Sequence, residues 1–147
     1  MKKYLIVLAI VIIISIGYWL IFPLFVERRV SEQVEDIASE ENILIVSKGT
    51  FEGIGLHNAG GTANLLQIGD KFYVRFEDDF TVTNGPDLFV HFGKDGEYIA
   101  EARLGALKGN IGGQNYEIPE GLNPRDFNEI WIWCRAFSTP FAKAKLI

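Results

Sequence analysis

Lys71-Phe72-Tyr73-Val74-Arg75-Phe76 is the stretch on which the fold turns. Phe72, Val74 and Phe76 fall on one face of an extended chain, with Lys71, Tyr73 and Arg75 on the other. That is the period of two that a strand imposes. Just before it, Gly69-Asp70 is a two-residue hairpin turn that would join it to Thr62–Ile68. Further on, Leu88, Val90 and Phe92 share a face with Phe89 and His91 opposite, and Gly93-Lys94-Asp95-Gly96 turns the chain. Short apolar runs separated by turn residues every 8–12 positions or so predict a sandwich or barrel. Fourteen of the fifteen glycines lie in this region, where turns need φ > 0. Asn123 and Pro124 predict one capped helical turn. The expectation is an all-β, single β-sandwich-like antiparallel domain over residues 47–147.

Ahead of it, Tyr4 to Val26 carries no charged side chain. A helix of that length crosses a hydrocarbon core of about 30 Å. Pro23 lies near its far end, and Tyr4, Tyr18 and Trp19 suit headgroup zones. A cleavable signal peptide needs a shorter apolar run and a small-residue cleavage site, and neither is present. Residues 1–26 therefore read as an uncleaved single-pass anchor, with the lipid bilayer as partner through residues 4–26. Lys2 and Lys3 before the apolar run place the C-terminal domain outside the cytoplasm, at the cell membrane. Residues 27–46 read as a stalk. Six acids (Glu27, Glu32, Glu35, Asp36, Glu40, Glu41) face two arginines there, and Val30, Val34 and Ile37 fall at helical spacing. A short helix or a first strand fits this segment. From Ser47 onward thirteen acids oppose ten bases with no basic patch, which argues against nucleic acid as a partner.

The one cysteine closes the run Ile130-Trp131-Ile132-Trp133-Cys134. Ile130, Ile132, Cys134 and Ala136 share one strand face, the expected core. Trp131, Trp133, Arg135 and Phe137 share the other, which Arg135 directs toward solvent, a partner or a cleft. Both faces are apolar, as in a central strand. A single sulfur cannot close a disulfide within the chain. Free cysteine packs as a small hydrophobe, whereas a reactive thiol needs a basic or helix-terminal setting. His57, in a glycine-rich loop, reads as a loop histidine or a contact residue, and His91 as a satisfied strand histidine. No metal-ligand spacing is present, so no metal site is expected. No motif encodes a cofactor: C-x-x-C, C-x-x-C-H, G-x-S-x-G and a full dinucleotide fingerprint are all missing. Gly85-Pro86-Asp87 reads as a turn in which Asp87 bonds its local backbone.

Four ordered segments resemble one family. Phe80 with Gly85-Pro86-Asp87-Leu88 is similar to the signature F-x-x-x-x-G-P-D-L of the DM-thirteen (DM13) domain. Leu104 to Pro119 resembles L-G-x-L-K-G-x-x-G-x-Q-x-Y-x-I-P. Ile130 to Phe137 resembles V-x-I-W-C-x-x-F, and Phe141 to Leu146 resembles F-G-x-A-x-L, with Ala142 where glycine is usual. His57 corresponds to an early histidine of the family. The resemblance spans about residues 47–147. It implies a β-sandwich-like domain with a part in electron transfer, and makes Cys134 the candidate redox residue. The family's usual DOMON and cytochrome neighbours are not encoded beside this module.

Two functions follow as expectations. In the first, the domain is an extracytoplasmic redox module centred on Cys134, with Trp131, Trp133 and Tyr116 lining the approach and a redox or protein partner beyond. In the second, Cys134 is core, and the tryptophan face and glycine-rich loops, with His57 and Asp87, bind a ligand or partner. A stand-alone enzyme ranks third, because no acid–base or nucleophile constellation is visible.

Overall fold

The computed structural model describes residues 2–22, 26–38 and 42–147. Pro23 and the acids Glu40 and Glu41 lie outside the described residues. Helix α1, Lys2–Ile21, is long and apolar enough to cross a membrane and buries nothing against the rest of the chain. Its one serine is satisfied inside the helix, Ser15 Oγ donating to the Val11 carbonyl at 2.8 Å.

The rest is all-β, as the alternation predicts. Strands β1 (Ile43–Gly53), β3 (Thr62–Ile68), β4 (Lys71–Phe76), β6 (Leu88–Lys94), β7 (Glu97–Ala106), β8 (Gln114–Glu117), β9 (Glu129–Cys134) and β10 (Thr139–Lys145) form one antiparallel sheet. Their order is β7-β6-β9-β10-β1-β3-β4-β8, and β2 (Ala59–Gly60) pairs with β5 (Thr81–Val82) as a separate ribbon. The sandwich-like form is this single sheet curled on itself. Its two edge strands approach each other, Gly105 of β7 lying against the Tyr116 ring of β8. Inside the curl sits one apolar cluster that takes Phe51 from β1, Val74 and Phe76 from β4, Val90 and Phe92 from β6, and Ile130 and Ile132 from β9.

The turns sit where their residues allow. Ile68 pairs with Lys71 across Gly69-Asp70, and Lys94 pairs with Glu97 across Asp95-Gly96. Both Asp95 and Gly96 have positive φ, the pairing that matches a tight hairpin to strand twist. Gly93, expected in that turn, is instead in β6. A Cβ there would overlap the Trp131 indole, so the glycine makes room for the ring.

The segment expected as a stalk is docked over most of its described length. Residues 28–32 run extended beside the loop before β8: Val30 N–H donates to the Ile111 carbonyl at 2.9 Å and Glu32 N–H to that of Gly113 at 3.0 Å. A Cβ on Gly112, whose φ is +94°, would overlap the Val30 carbonyl. Val34–Asp36 form a single 3-10 turn in place of a longer helix. Val34 and Ile37 do pack half-buried against Leu66, Ile68 and Tyr73 on the outer face of β3 and β4. We call residues 28–38 the strap.

Its anchor is Glu32. The carboxylate accepts from Lys108 Nζ at 2.8 Å and from the Asn115 N–H at 2.8 Å. Its carbonyl accepts from Arg75, whose guanidinium also reaches Asn115 Oδ1 and Glu77. Arg75 alternates onto the outer face as the sequence predicts, yet its side chain is only 4% exposed because the strap covers it.

Candidate functional site

Strand β9 lies between β6 and β10, a central strand with both faces occupied. On the inner face Ile130, Ile132 and Cys134 are sealed in the core, and Cys134 is 0% exposed. Its ladder neighbours are Leu88 in β6 and Thr139 in β10. The thiol therefore meets no solvent in this conformation, and an attacking reagent needs this end of the sheet to open.

Three of the segments singled out by sequence converge at that end. The Asp87 carbonyl accepts from Arg135 N–H at 3.0 Å. Its carboxylate holds the Arg135 guanidinium, Nε to Oδ2 at 2.8 Å and a terminal nitrogen to Oδ1 at 3.3 Å. Asp87 thus clamps the residue after Cys134 in place of its own local backbone. His57 stacks on Phe141, ring centroids 3.6 Å apart and 14° from parallel. Gly85 is pressed against the same Phe141 ring and against Leu88. Leu88, Phe141 and Cys134 belong to one buried cluster. Asp87 and His57 are thereby brought to the Cys134 end of the core.

Tyr116 lies in β8, far along the sheet order from β9. Its ring is in the core, and its hydroxyl donates to Gln114 Oε1 at 2.7 Å. Burial holds that phenol protonated far above its ordinary range. Gln114 is a hub: the same oxygen accepts from the N–H groups of Lys108 and Gly109, while Nε2 donates to the carbonyls of Gly109 and Gly112. The L-K-G-x-x-G-x-Q-x-Y pattern therefore builds the loop that receives the strap.

The tryptophans lie on the opposite side of β9 from the thiol. Trp131 is 7% exposed. Its indole N–H donates to Glu129 Oε2 at 3.0 Å, and Lys143 lies over its ring at 5.7 Å. It is less open than Arg135 in the same strand face suggests, because Gly93 lets it pack down. Trp133 is half-buried and stacks on Tyr98 of β7 at 4.2 Å and 8°. The β6–β9 register sets Phe89 opposite Trp133 and His91 opposite Trp131. Phe89 is flanked by two guanidinium groups, Arg135 at 4.7 Å and Arg103 at 5.4 Å. Sequence reasoning left His91, Tyr98 and Arg103 out of any site. The available signal was the alternation itself, which puts Phe89 and His91 on the non-core face of β6.

A family model described as "Electron transfer DM13" matches residues 50–146. No curated protein and no solved structure matches the chain.

Proposed function

The chain belongs to the electron transfer DM13 family, and on that premise we propose that it is a membrane-tethered module acting in electron transfer outside the cytoplasm, with Cys134 as its redox residue. The observation that carries this reading is the convergence at the end of β9. The Asp87–Arg135 clamp holds the residue next to the chain's one cysteine, and the His57–Phe141 stack rests on the buried cluster that contains it. An apolar helix of bilayer length precedes the domain, and Lys2 and Lys3 at its start favour a cytoplasmic N-terminus.

The burial of Cys134 constrains the chemistry. Oxidation of the thiolate by a peroxide moves one oxygen onto sulfur and releases water or an alcohol. That reaction needs contact, so it proceeds only through opening of the β6–β9–β10 end. The test uses the full chain in detergent micelles. Thiol titration is run on folded and denatured samples, before and after peroxide, alongside the ultraviolet–visible spectrum. Loss of the titratable thiol in folded protein, restored by a dithiol reductant, is the expected result. A colourless protein whose thiol survives peroxide until denaturation would sink the proposal.

A second reading is favoured by the 0% exposure of Cys134. In it the thiol is core and the domain binds through its outer surface. Cys134→Ala then costs about 1–2 kcal/mol of stability, Cys134→Ser more because a hydroxyl is buried without a partner, and peroxide changes nothing in the folded chain.

A further inference from the structure

The outer face of β6, β7 and β9 holds a cavity of about 140 Å³ lined by Phe89, His91, Tyr98, Trp133, Arg103 and Arg135. Its walls are aromatic, and the Trp133–Tyr98 stack fixes one side. The volume is close to that of an apolar cavity of about 150 Å³ that accepts one benzene.

The polar groups on this cavity differ in what they have left to give. Arg135 is held by the Asp87 carboxylate. Arg103, among the described residues, has no carboxylate partner, and its guanidinium lies over the Phe89 ring. Glu101 is the acid near this wall, acting through space on Tyr98. His91 is 4% exposed, and its Nδ1 lies 3.3 Å from the Ile99 carbonyl. A carbonyl only accepts, so Nδ1 carries the proton and Nε2 is left as an acceptor. Among the described residues the one close polar contact of the ring is Nδ1 to the Ile99 carbonyl, with the Ala100 carbonyl also near the ring. Burial, with the Arg103 charge adding to it and the Ile99 and Ala100 carbonyls opposing, keeps the imidazole below its ordinary pKa and hence neutral at pH 7.

A cation without a carboxylate partner, an imidazole on the cavity wall and flat apolar walls around a benzene-sized space define a ligand class. We infer that this cavity binds a monocyclic aromatic carboxylate bearing a ring hydroxyl, its carboxylate on Arg103, its ring against the aromatic walls and its hydroxyl donating to His91 Nε2. The site faces away from Cys134, so it stands whether or not the thiol is redox-active.

The test is an NMR titration of the full chain in detergent micelles with 4-hydroxybenzoate. The ring resonances of the two histidines are followed, with His57 as internal control. A saturable shift of His91 with His57 unmoved is expected, with an affinity in the millimolar range or tighter. Arg103→Gln, an exposed position that leaves the core intact, should weaken binding about tenfold or more. Benzoate, which lacks the donor, should bind several-fold more weakly than 4-hydroxybenzoate. The proposal is overturned by no saturable shift up to about 10 mM, by equal movement of His57 (partition into the micelle), or by unchanged affinity in folded Arg103→Gln protein.

Discussion

Two outer faces of the same curled sheet are treated in opposite ways. Over β3 and β4 the chain covers its own sheet: the strap lays Val34 and Ile37 on Leu66, Ile68 and Tyr73 and closes over Arg75. Over β6 and β9, among the described residues, no separate segment is laid across the sheet: Tyr98, Arg103 and Arg135 pack around Phe89, His91 and Trp133 and leave a cavity. Each face presents an arginine in a setting rich in aromatic or apolar groups. Arg75 is surrounded by acceptors, whereas Arg103, among the described residues, has no side-chain acceptor. The difference separates a cation used for architecture from one available to a ligand.

The sharpest way to break that contrast is to remove each arginine. Arg75→Met leaves the Glu32 carbonyl and Asn115 without their buried donor. It should lower stability by about 3 kcal/mol, read as a urea midpoint. Arg103→Gln should change the midpoint by no more than about 0.5 kcal/mol. Equal losses would mean that the two faces do the same work. Next in size is Gly93→Ala. Its new methyl meets the Trp131 indole and the Glu97 carbonyl, and a loss of about 2 kcal/mol is expected. Near-UV circular dichroism should show the tryptophan environment disturbed. Glu32→Ala tests the covered face more gently. Losing the Lys108 pair and the Asn115 N–H partner should cost about 1.5 kcal/mol. Limited proteolysis should then cut within residues 28–38 while the sheet stays intact.

The smallest effect is in pH. Burial depresses the His91 pKa in the folded chain, while unfolded His91 titrates near the ordinary 6.5. As pH falls from 6.5 toward the lower folded value, the unfolded chain takes up a proton that the folded chain refuses, and stability drops. Melting temperature measured between about pH 7.5 and pH 5.5 should fall less steeply in His91→Phe than in the parent chain. Parallel slopes would show that His91 is not what separates the open face from the covered one.

Much of the sheet was legible in the sequence because alternation is local. The faces of β4 and β9, the hairpin at Gly69-Asp70 and the inward thiol each follow from spacing within a few residues. The covered face was not. Arg75 reads as a solvent residue until Glu32, 43 positions earlier, is seen to close over it. Helical spacing in Val30, Val34 and Ile37 reflected a need to bury apolar side chains, which an extended strap with one 3-10 turn met equally well. The aromatic cavity needed a fact that alternation does not contain, namely that β6 pairs with β9 across some forty residues and so sets His91 beside Trp131. Likewise the Asp87–Arg135 clamp joins two segments that were each noticed, but whose contact only the topology decides.

The strap also sets a distance. Six residues, 22–27, separate the end of α1 from Arg28, whose N–H is already bonded to Asn110 of the domain. Fully extended, six residues span about 20 Å at most. On the membrane-tethered reading, the domain is leashed within a thin layer above the lipid headgroups. A partner confined to the same membrane meets it by a two-dimensional search at high effective concentration. A partner free in the surrounding fluid has no such advantage and must rely on its affinity alone.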